Sequence, residues 1–535
     1  MKSQERYELT LAELLKNAVE RNPDQIISYR GELNFTYENF LDRVTRLARS
    51  LIKSGLQKGD RVAVIDWDTN RYLEAYYAIP MAGGVIHTVN IRYPPELIFY
   101  TIQHAEDKFV IVRDEFAPRL EMNKHLFDFI KLWIVYSESG KITTTLEPAR
   151  NYDDLINENS EVDLPEILED DQATIFYTSG TTGLPKGVSF THRQLFLHTL
   201  ALGSATNDDP INATSDDVIM PLVPMFHVHS WGLPYFAIMR GMKYILPGKY
   251  DPGEILKIIE KEHVTLSAMV PTILYMLVSH PDSPKILPNV KLRTLIGGGA
   301  LPKGLAMNAK KMGVEAVSGY GMSETCPVLT LATFNVNVKK LPENEREKYL
   351  TKTGVPIPMV SLRVVGRDGN DVPKDSTTIG EIIVQAPWLT KEYVKDPENT
   401  KKLWINGWLH TGDLAVMDEF GYISIVDREK DAVKSGGEFI PTLVLEDLMS
   451  TCEGVREVAV VGRPDEQWGE RPIAFIVASP DLTKERLANH FDTLLKAGRI
   501  EKFWIPDDYI FVTELAKTST GKIDKKPLKE KARGL

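Results

Sequence analysis

The order of apolar and polar residues predicts alternating helices and strands over most of the chain. Thr10 and Glu13 form a capping box, and apolar positions then recur at helical spacing through Val19. A second amphipathic stripe covers residues 37–51. Short apolar, β-branched runs predict buried strands at 59–65, 109–112, 132–136, 173–177, 264–270 and 292–296. We therefore predict an α/β fold whose large, multi-layer N-terminal domain contains mostly buried sheets.

The pattern changes near residue 427, where the polar stretch DREKDAVKSGGE begins. Beyond it, strands at 455–461, 472–477 and 509–512 and a helix at 484–495 predict a small α+β domain. A charged connector that contains glycine is where two domains are expected to move relative to each other. We predict a large N-terminal domain over 1–426, a hinge over 427–434, and a small mobile C-terminal domain over 435–535.

Composition and charge exclude several classes of protein. The chain has 535 residues, of which 43% are hydrophobic and 26% charged, as is typical of a soluble globular protein. Because 74 acidic residues outnumber 63 basic ones, no general field attracts phosphate backbones, and nucleic acid is not a predicted partner. Cys326 and Cys452 lack CxxC spacing, which excludes a disulfide framework and a thiolate metal site and suits a reducing cytoplasm.

Nothing in the sequence predicts export or stable membrane insertion. The N-terminal residues are charged throughout and do not form a secretory signal. Residues 218–239 carry no Asp, Glu, Lys or Arg and are long enough to span a bilayer. However, Pro221, Pro224 and Pro234 interrupt any helix there, so this stretch is expected to be buried core beside a ligand site. We predict a cytoplasmic protein.

Residues 177–188, YTSGTTGLPKGV, predict a phosphate-binding loop directly after a strand. Glycines let backbone N–H groups approach an anion, the hydroxyls of Ser179, Thr181 and Thr182 donate hydrogen bonds, and Lys186 adds a mobile positive charge. A plain glycine-rich turn is the alternative. The spacing G-x-x-x-x-G-K-[ST] is missing, which disfavours a standard P-loop NTPase.

This stretch resembles the signature of the AMP-forming adenylating enzymes, the superfamily of acyl-CoA synthetases, luciferases and peptide-synthetase adenylation domains. Further matches follow in the family's order: GYGMSET at 319–325, TGD at 411–413, DREKD at 427–431, KSGGE at 434–438 and TGK at 520–522. The resemblance, strongest to fatty acyl-CoA synthetases, implies that residues 1–426 are the adenylating domain with the ATP and acyl site and that residues 435–535 are its lid. The implied ligase uses ATP, Mg²⁺ and CoA. It forms an acyl-adenylate from a carboxylic acid with release of pyrophosphate, and then an acyl-CoA and AMP.

The resemblance implies which residues bind the nucleotide. This set is Thr178, Ser179, Gly180, Thr181, Thr182, Gly183, Lys186, Gly298, Gly299, Gly319, Tyr320, Gly321, Met322, Ser323, Glu324, Asp413, Arg428 and Lys522. Within it, Tyr320 lies along the adenine ring and Asp413 and Arg428 contact the ribose, while Glu324 and Thr182 hold Mg²⁺. The alternatives are a core tyrosine for Tyr320 and a surface salt bridge for Asp413 and Arg428.

The implied catalytic residues are Lys522, Glu324, His227 and Thr182. Lys522 would bring a cation to the negative charge that develops on the carboxylate and the α-phosphate. An exposed lysine in a basic tail is the alternative. The resemblance also makes Lys430 the hinge, about which the small domain rotates between two half-reactions.

The implied CoA-binding residues are Lys434, Ser435, Gly436 and Gly437. Paired glycines leave room for a pantetheine arm, although a tight turn explains the same glycines. By resemblance, His227 lies beside the substrate carboxylate and Trp231 forms an aromatic gate, whereas a buried core tryptophan is the alternative. Gly297, in GGGALP, is expected to line the nucleotide and acyl pocket.

The acyl substrate is predicted to carry an uncharged tail, because residues 218–239 offer no carboxylate to pair with an amino group. His227 and His229 would share one face of a strand, but no third metal ligand accompanies them. We predict a medium- or long-chain fatty acid. The alternatives are a short-chain, hydroxyacid or aryl-CoA ligase, transfer to a carrier protein, and a non-catalytic adenylate-binding protein. The resemblance also allows a homodimer.

Overall fold

The computed structural model describes residues 7–158, 160–178, 184–429, 431–436, 438–518 and 523–534. Its α-helices are α1 (Leu11–Arg21), α2 (Tyr37–Lys53), α3 (Asn70–Met81), α4 (Pro95–Ala105), α5 (Ala117–Glu121), α6 (Tyr152–Asn157), α7 (His192–Ala205), α8 (Leu233–Arg240), α9 (Pro252–Glu262), α10 (Pro271–Val278), α11 (Ser283–Ile286), α12 (Lys303–Lys311), α13 (Glu343–Arg346), α14 (Pro397–Leu403), α15 (Thr442–Ser450), α16 (Lys484–Lys496) and α17 (Lys525–Arg533). One half of the predicted capping box of α1 is present, since the Thr10 hydroxyl accepts a hydrogen bond from the N–H of Glu13. The other half is not formed, because the N–H of Thr10 donates to the carbonyl oxygen of Glu8 at 2.9 Å.

The strands lie in four sheets. They are β1 (Ile26–Tyr29), β2 (Leu33–Thr36), β3 (Arg61–Ile65), β4 (Val85–Thr88), β5 (Phe109–Arg113), β6 (Leu132–Tyr136), β7 (Ala149–Asn151), β8 (Gln172–Thr178), β9 (Lys186–Thr191), β10 (Val218–Leu222), β11 (Lys243–Leu246), β12 (Leu266–Met269), β13 (Arg293–Ile296), β14 (Glu315–Gly321), β15 (Val328–Leu331), β16 (Val355–Pro356), β17 (Ser361–Val365), β18 (Gly380–Gln385), β19 (Tyr393–Val394), β20 (Trp404–Ile405), β21 (Trp408–Met417), β22 (Ile423–Arg428), β23 (Val433–Ser435), β24 (Glu438–Ile440), β25 (Val455–Asp465), β26 (Gly469–Ala478) and β27 (Asp508–Phe511).

The two largest sheets are mainly parallel and form the body of the large domain. Their strand orders are β16-β15-β14-β13-β12-β10-β11-β1-β2 and β19-β9-β8-β4-β3-β5-β6-β7. Strands β4, β6 and β12 are buried along their whole length, as expected for sheets covered on both faces. The predicted α/β fold with mostly buried sheets is therefore confirmed.

A third sheet, of order β17-β18-β21-β20 with β22 beside β21, is antiparallel and completes the large domain. The fourth sheet, β24-β23-β26-β25 with β27 beside β26, belongs to the smaller C-terminal domain. This domain has its own hydrophobic cores, which include Leu445, Phe491 and Phe475. The expected smaller α+β domain at the C-terminal end is thus present.

The two domains meet where α12 faces α15. The N–H of Lys303 donates to Asp447 Oδ1 at 2.9 Å, and the Lys303 ammonium lies 2.6 Å from Asp447 Oδ2. A Cβ atom on Gly304 would lie 2.5 Å from the carbonyl oxygen of Ser450. This close approach therefore requires a glycine at the start of α12.

A polar cluster also connects the end of β22 to the small domain. Asp427 Oδ2 accepts hydrogen bonds from the N–H and the hydroxyl of Thr442, at 2.9 and 2.7 Å. Lys525 donates to the same hydroxyl at 2.8 Å and pairs with Glu446 at 2.7 Å. Because Lys525 begins α17, the cluster ties this helix to the start of the predicted hinge.

Residues 218–239 form β10, a turn and the first part of α8. Among the residues that the structure describes, none of the helices has the length and apolar character that a membrane span needs.

Buried histidine makes the stability of the fold depend on pH. The Nδ1 atom of His192 accepts a hydrogen bond from the N–H of Leu11, and burial lowers the pKa of His192 to about 4. Histidine in the unfolded chain has a pKa of about 6.5, so below that pH the unfolded chain binds more protons than the folded protein. The contribution of neutral His192 to the unfolding free energy is therefore fully present above pH 6.5 and is lost as the pH falls from about 6.5 to about 4.

We therefore expect His192→Asn, which keeps an acceptor for Leu11, to reduce the loss of unfolding free energy between pH 7.5 and pH 5 by about 2 kcal/mol. Denaturant titration at the two pH values measures this difference. His125→Asn, at an exposed position, is the matched control. An unchanged pH dependence in His192→Asn would contradict the assignment.

Candidate active site

The predicted phosphate-binding loop connects two antiparallel strands. Thr178 ends β8 and Lys186 begins β9, and these two residues are directly paired. The strand end before the loop is fixed by Tyr177, whose carbonyl oxygen accepts a hydrogen bond from the Tyr93 hydroxyl at 3.3 Å. The hydroxyl of Tyr177 lies 2.8 Å from His104 Nδ1. The loop residues Ser179, Gly180, Thr181, Thr182 and Gly183 lie outside the described residues.

The predicted adenine and ribose residues form one hydrogen-bonded group. The Tyr320 hydroxyl donates to Asp413 Oδ2 at 2.6 Å, and Arg428 Nε lies 3.2 Å from Asp413 Oδ1. Burial and the charge of Asp413 raise the pKa of Tyr320 well above its usual value, so the hydroxyl stays protonated. The salt bridge considered as an alternative is present. Each carboxylate oxygen still has a second acceptor position, which leaves Asp413 able to bind hydroxyl groups.

Glu324 lies on the 3₁₀ turn at Ser323–Thr325 that follows β14, and its side chain is buried. Its Oε1 atom accepts a hydrogen bond from the Tyr393 hydroxyl at 2.6 Å. Its carbonyl oxygen accepts one from the N–H of Thr390 at 2.9 Å, which joins the turn to the segment that precedes β19. The Lys186 ammonium lies 4.7 Å from the centre of the Tyr393 ring. Tyr393 therefore contacts both the predicted Mg²⁺ ligand and the predicted phosphate-binding lysine.

Close packing explains two glycines of GYGMSET. A Cβ atom on Gly321 would lie 1.9 Å from the carbonyl oxygen of Pro327, and one on Gly319 would lie 2.9 Å from Leu331 Cδ2. Met322 and Ser323 continue the chain into the turn that carries Glu324. The backbone here is thus fixed by packing against β15 and the residues before it.

The segment that carries His227 is held by side chains from the second large sheet and α3. Asp68 Oδ1 accepts a hydrogen bond from the N–H of Met225 at 2.8 Å, and the Tyr76 hydroxyl donates to the Met225 carbonyl oxygen. The Thr88 hydroxyl donates to the carbonyl oxygen of Phe226 at 3.1 Å. The backbone directly before His227 is therefore anchored at three atoms.

The expectation that His227 and His229 share one face of a strand is wrong. His227 is extended, but the backbone from Val228 to Gly232 has positive φ at every residue and forms a left-handed turn. The turn is closed by the Ser230 hydroxyl, which donates to the carbonyl oxygen of Val223 at 2.7 Å. His229 is consequently buried, and burial lowers its pKa to about 3.

Trp231 lies at the end of this turn and packs on the predicted pocket glycine. A Cβ atom on Gly297 would lie 2.9 Å from Trp231 Cη2 and 3.4 Å from the carbonyl oxygen of Gly319. Trp231 is only 7% exposed, so it is buried, as the alternative of a core tryptophan expects. It is nevertheless adjacent to the GYG residues. Gly298 has a φ of +75°, and Gly299 lies beside Pro271.

The described members of the predicted CoA-binding set, Lys434, Ser435 and Gly436, lie on or directly after β23, in a sheet separate from the nucleotide residues. Ser435 accepts a hydrogen bond from Arg471 at 3.3 Å, and the N–H of Lys434 donates to Glu470 at 3.0 Å. Gly436 has a φ of +60°, and its N–H donates to the carbonyl oxygen of Trp468 at 2.8 Å. Gly437, Lys430 and Lys522 lie outside the described residues.

Sequence reasoning missed Tyr393 and Asp68. Asp68 follows β3, and polar residues after the carboxyl end of a parallel strand are a usable signal for a ligand-binding edge. Tyr393 belongs to a strand of two residues within a polar stretch, so it has no periodic pattern that could have singled it out. Only the pairing of β19 with β9 brings it to the site.

The chain matches known enzymes along nearly its whole length. The sequence model of the AMP-binding enzymes matches residues 15–394, and that of the AMP-binding enzyme C-terminal domain matches residues 444–522. The chain belongs to the AMP-binding enzyme family. This membership, together with the CoA ligases among its relatives, confirms the sequence-based identification of an AMP-forming acid–CoA ligase.

Relatives of this AMP-binding enzyme are CoA ligases of different acids. It is 39% identical to a long-chain-fatty-acid–CoA ligase of Thermus thermophilus, over 94% of this chain and 91% of the relative. It is 36% identical to a 3-methylmercaptopropionyl-CoA ligase of Ruegeria lacuscaerulensis, over 91% of this chain and 89% of the relative. Among solved structures, the ATP-bound MatB from Rhodopseudomonas palustris superposes with a TM-score of 0.83 at 27% identity, covering 98% and 99% of the two chains.

The contact between Gly297 and Trp231 can be tested by adding one methyl group. We expect Gly297→Ala to lower the unfolding free energy by about 1–3 kcal/mol, because the ring must move to avoid overpacking. The double variant Gly297→Ala/Trp231→Leu should lose less than the sum of the two single variants. Denaturant titration measures all three.

The matched control for this double-mutant cycle is Gly299→Ala. Its new methyl group would lie 3.7 and 3.8 Å from two ring carbons of Pro271, which is ordinary van der Waals contact. Its unfolding free energy should stay close to that of the wild type. Strict additivity of the two single variants at 297 and 231 would argue against the contact.

Proposed function

We propose that this enzyme is an ATP-dependent fatty acid–CoA ligase that acts on medium- or long-chain acids. The observation that carries the proposal is the convergence of two groups, Tyr320 with Asp413 and Arg428, and Glu324 with Tyr393 and Lys186, beside Trp231 and Gly297. A fatty acid is supported by the similarity to the Thermus thermophilus ligase. It is also supported by the lack of any Asp, Glu, Lys or Arg in residues 218–239.

In the first half-reaction, a substrate carboxylate oxygen attacks the α-phosphorus of ATP and pyrophosphate leaves, which gives the acyl-adenylate. Tyr320 lies along the adenine, while Asp413 and Arg428 bind the ribose. Lys186 and the loop residues from Thr178 to Gly183 hold the phosphates through charge and hydrogen bonds. Positioning and neutralisation of charge are the main contributions that a protein makes to such a reaction.

Glu324 and Thr182 would hold Mg²⁺, which neutralises phosphate charge when bound. The residues fit this ion, because Mg²⁺ at phosphate-transfer sites commonly uses one or two carboxylates together with substrate oxygens. Within the described ranges, no group of three or more His, Cys, Asp or Glu forms a separate metal cage. His227 lies beside the substrate carboxylate, and Lys522 brings a cation to the reacting atoms.

In the second half-reaction, the CoA thiolate attacks the acyl carbon and AMP leaves. Lys434, Ser435, Gly436 and Gly437 bind the pantetheine arm after the small domain, residues 435–535, turns about Lys430 in the hinge over 427–434. The separate hydrophobic cores of this domain support its movement as a unit against residues 1–426. A cytoplasmic location and a homodimer remain predictions from the sequence.

A short-chain acid is the second candidate substrate, since the Ruegeria relative is named for 3-methylmercaptopropionate. A ladder of acids separates the candidates. Pyrophosphate release is measured with MgATP, CoA and straight-chain acids from acetate to palmitate, together with benzoate, 4-coumarate and 3-methylmercaptopropionate. We expect the highest kcat/KM with medium- or long-chain acids. A maximum at short or aromatic acids would overturn the fatty acid assignment.

Lys522→Ala tests the proposed catalytic cation in the same assay. We expect pyrophosphate release to fall by at least about 100-fold, because charge neutralisation in a site that excludes water is a large part of such catalysis. Lys526→Ala, an exposed lysine of the same tail, is the matched control and should keep the wild-type rate. Equal loss in both variants would count against a specific role for Lys522.

A further inference from the structure

We propose that Tyr393 is a positioning residue of the ATP half-reaction, which sets the spacing between Glu324 and Lys186 before the nucleotide binds. This inference rests on the proposed function, in which these two residues act on the metal ion and the phosphates. Tyr393 itself contacts neither the reacting carboxylate nor the α-phosphorus in this scheme. It acts through the side chains that it holds.

The position of Tyr393 is determined by backbone pairing. Strand β19 is antiparallel to β9, with Tyr393 opposite Val188 and Val394 opposite Gly187. A Cβ atom on Gly187 would lie 3.1 Å from Val394 Cβ, so the strands approach closely just after Lys186. The N–H of Tyr393 donates to the Thr400 hydroxyl at 3.0 Å, which ties β19 to α14. The ring is therefore carried by a fixed backbone beside the start of β9.

The hydroxyl group of Tyr393 orients a buried carboxylate. It donates to Glu324 Oε1 at 2.6 Å, while the backbone of Glu324 is held by the N–H of Thr390. A hydrogen bond to a charged group restricts the rotation of that group and stabilises it inside the protein. The bond uses one carboxylate oxygen, which leaves the second oxygen for a metal ion.

The ring of Tyr393 contacts the ammonium group of Lys186. The Lys186 ammonium lies 4.7 Å from the ring centre, within the range of a cation–π contact. A lysine side chain is flexible, so an aromatic face that receives its charge reduces the number of positions it occupies. One side chain thus contacts an anion through its hydroxyl and a cation through its ring. Removing the hydroxyl alone should affect Glu324 and leave the Lys186 contact intact.

Two substitutions separate these contacts. Tyr393→Phe keeps the ring and loses the hydroxyl, whereas Tyr393→Leu loses both. Calorimetry measures ATP affinity in Mg²⁺ and in EDTA, without any acid or CoA. We expect Tyr393→Phe to weaken ATP binding about tenfold in Mg²⁺ and by less than twofold in EDTA, because the hydroxyl acts through Glu324 and the metal. Tyr393→Leu should weaken binding under both conditions.

The two half-reactions provide the second readout. With the best acid of the ladder, we expect Tyr393→Phe to slow ATP–pyrophosphate exchange about tenfold and to raise the Mg²⁺ concentration needed for half the maximal rate. Thioester formation from supplied acyl-adenylate and CoA should stay within twofold of the wild type. Tyr37→Phe is the matched control, because it removes a buried hydroxyl that donates to the Met242 carbonyl oxygen at 2.6 Å.

The proposal is overturned if Tyr393→Phe binds ATP like the wild type in Mg²⁺, if its loss of affinity persists in EDTA, or if both half-reactions slow equally. It is also overturned if Tyr37→Phe gives the same profile. Failure of the ligase assignment has a different signature, since wild-type protein would then give no exchange with any acid. The calorimetric comparison would still decide the role of Tyr393.

Discussion

The active site depends on strands that are buried along nearly their whole length. In the two large sheets, β4, β6 and β12 carry no exposed residue, so polar side chains can reach a ligand only where strands begin or end. Thr178 and Lys186 lie at such ends, and Asp68 follows one. The chemistry is therefore concentrated at the edge of a rigid apolar body, as is common in α/β proteins.

Side-chain hydrogen bonds then join elements that are far apart in sequence. Tyr320 on the first large sheet donates to Asp413 on the third sheet, and Tyr393 on the second large sheet donates to Glu324 in the turn after β14. Each bond has a carboxylate as acceptor, which makes it stronger than a bond between neutral groups. The relative positions of the sheets and the geometry of the site are thus fixed by the same contacts.

Local patterns predicted the elements and motifs that depend only on neighbouring residues. The capping of α1 by Thr10, the helix from Tyr37 and the strand before the phosphate loop are of this kind. The spacing of His227 and His229 wrongly predicted a strand, because hydrogen bonds with the side chains of Asp68 and Ser230 hold the surrounding backbone in a left-handed turn. Tyr393 could not be found from the sequence, since its role arises from strand pairing between residues about 200 positions apart.

The left-handed turn from Val228 to Gly232 depends on the rest of the fold for its shape. Each residue other than glycine in such a conformation costs about 1–2 kcal/mol, so no choice of side chains makes this turn favourable on its own. Its shape belongs to the folded domain that anchors it, through the hydroxyl of Ser230 and the buried side chains of His229 and Trp231. The turn should consequently keep its shape only while this packing is intact.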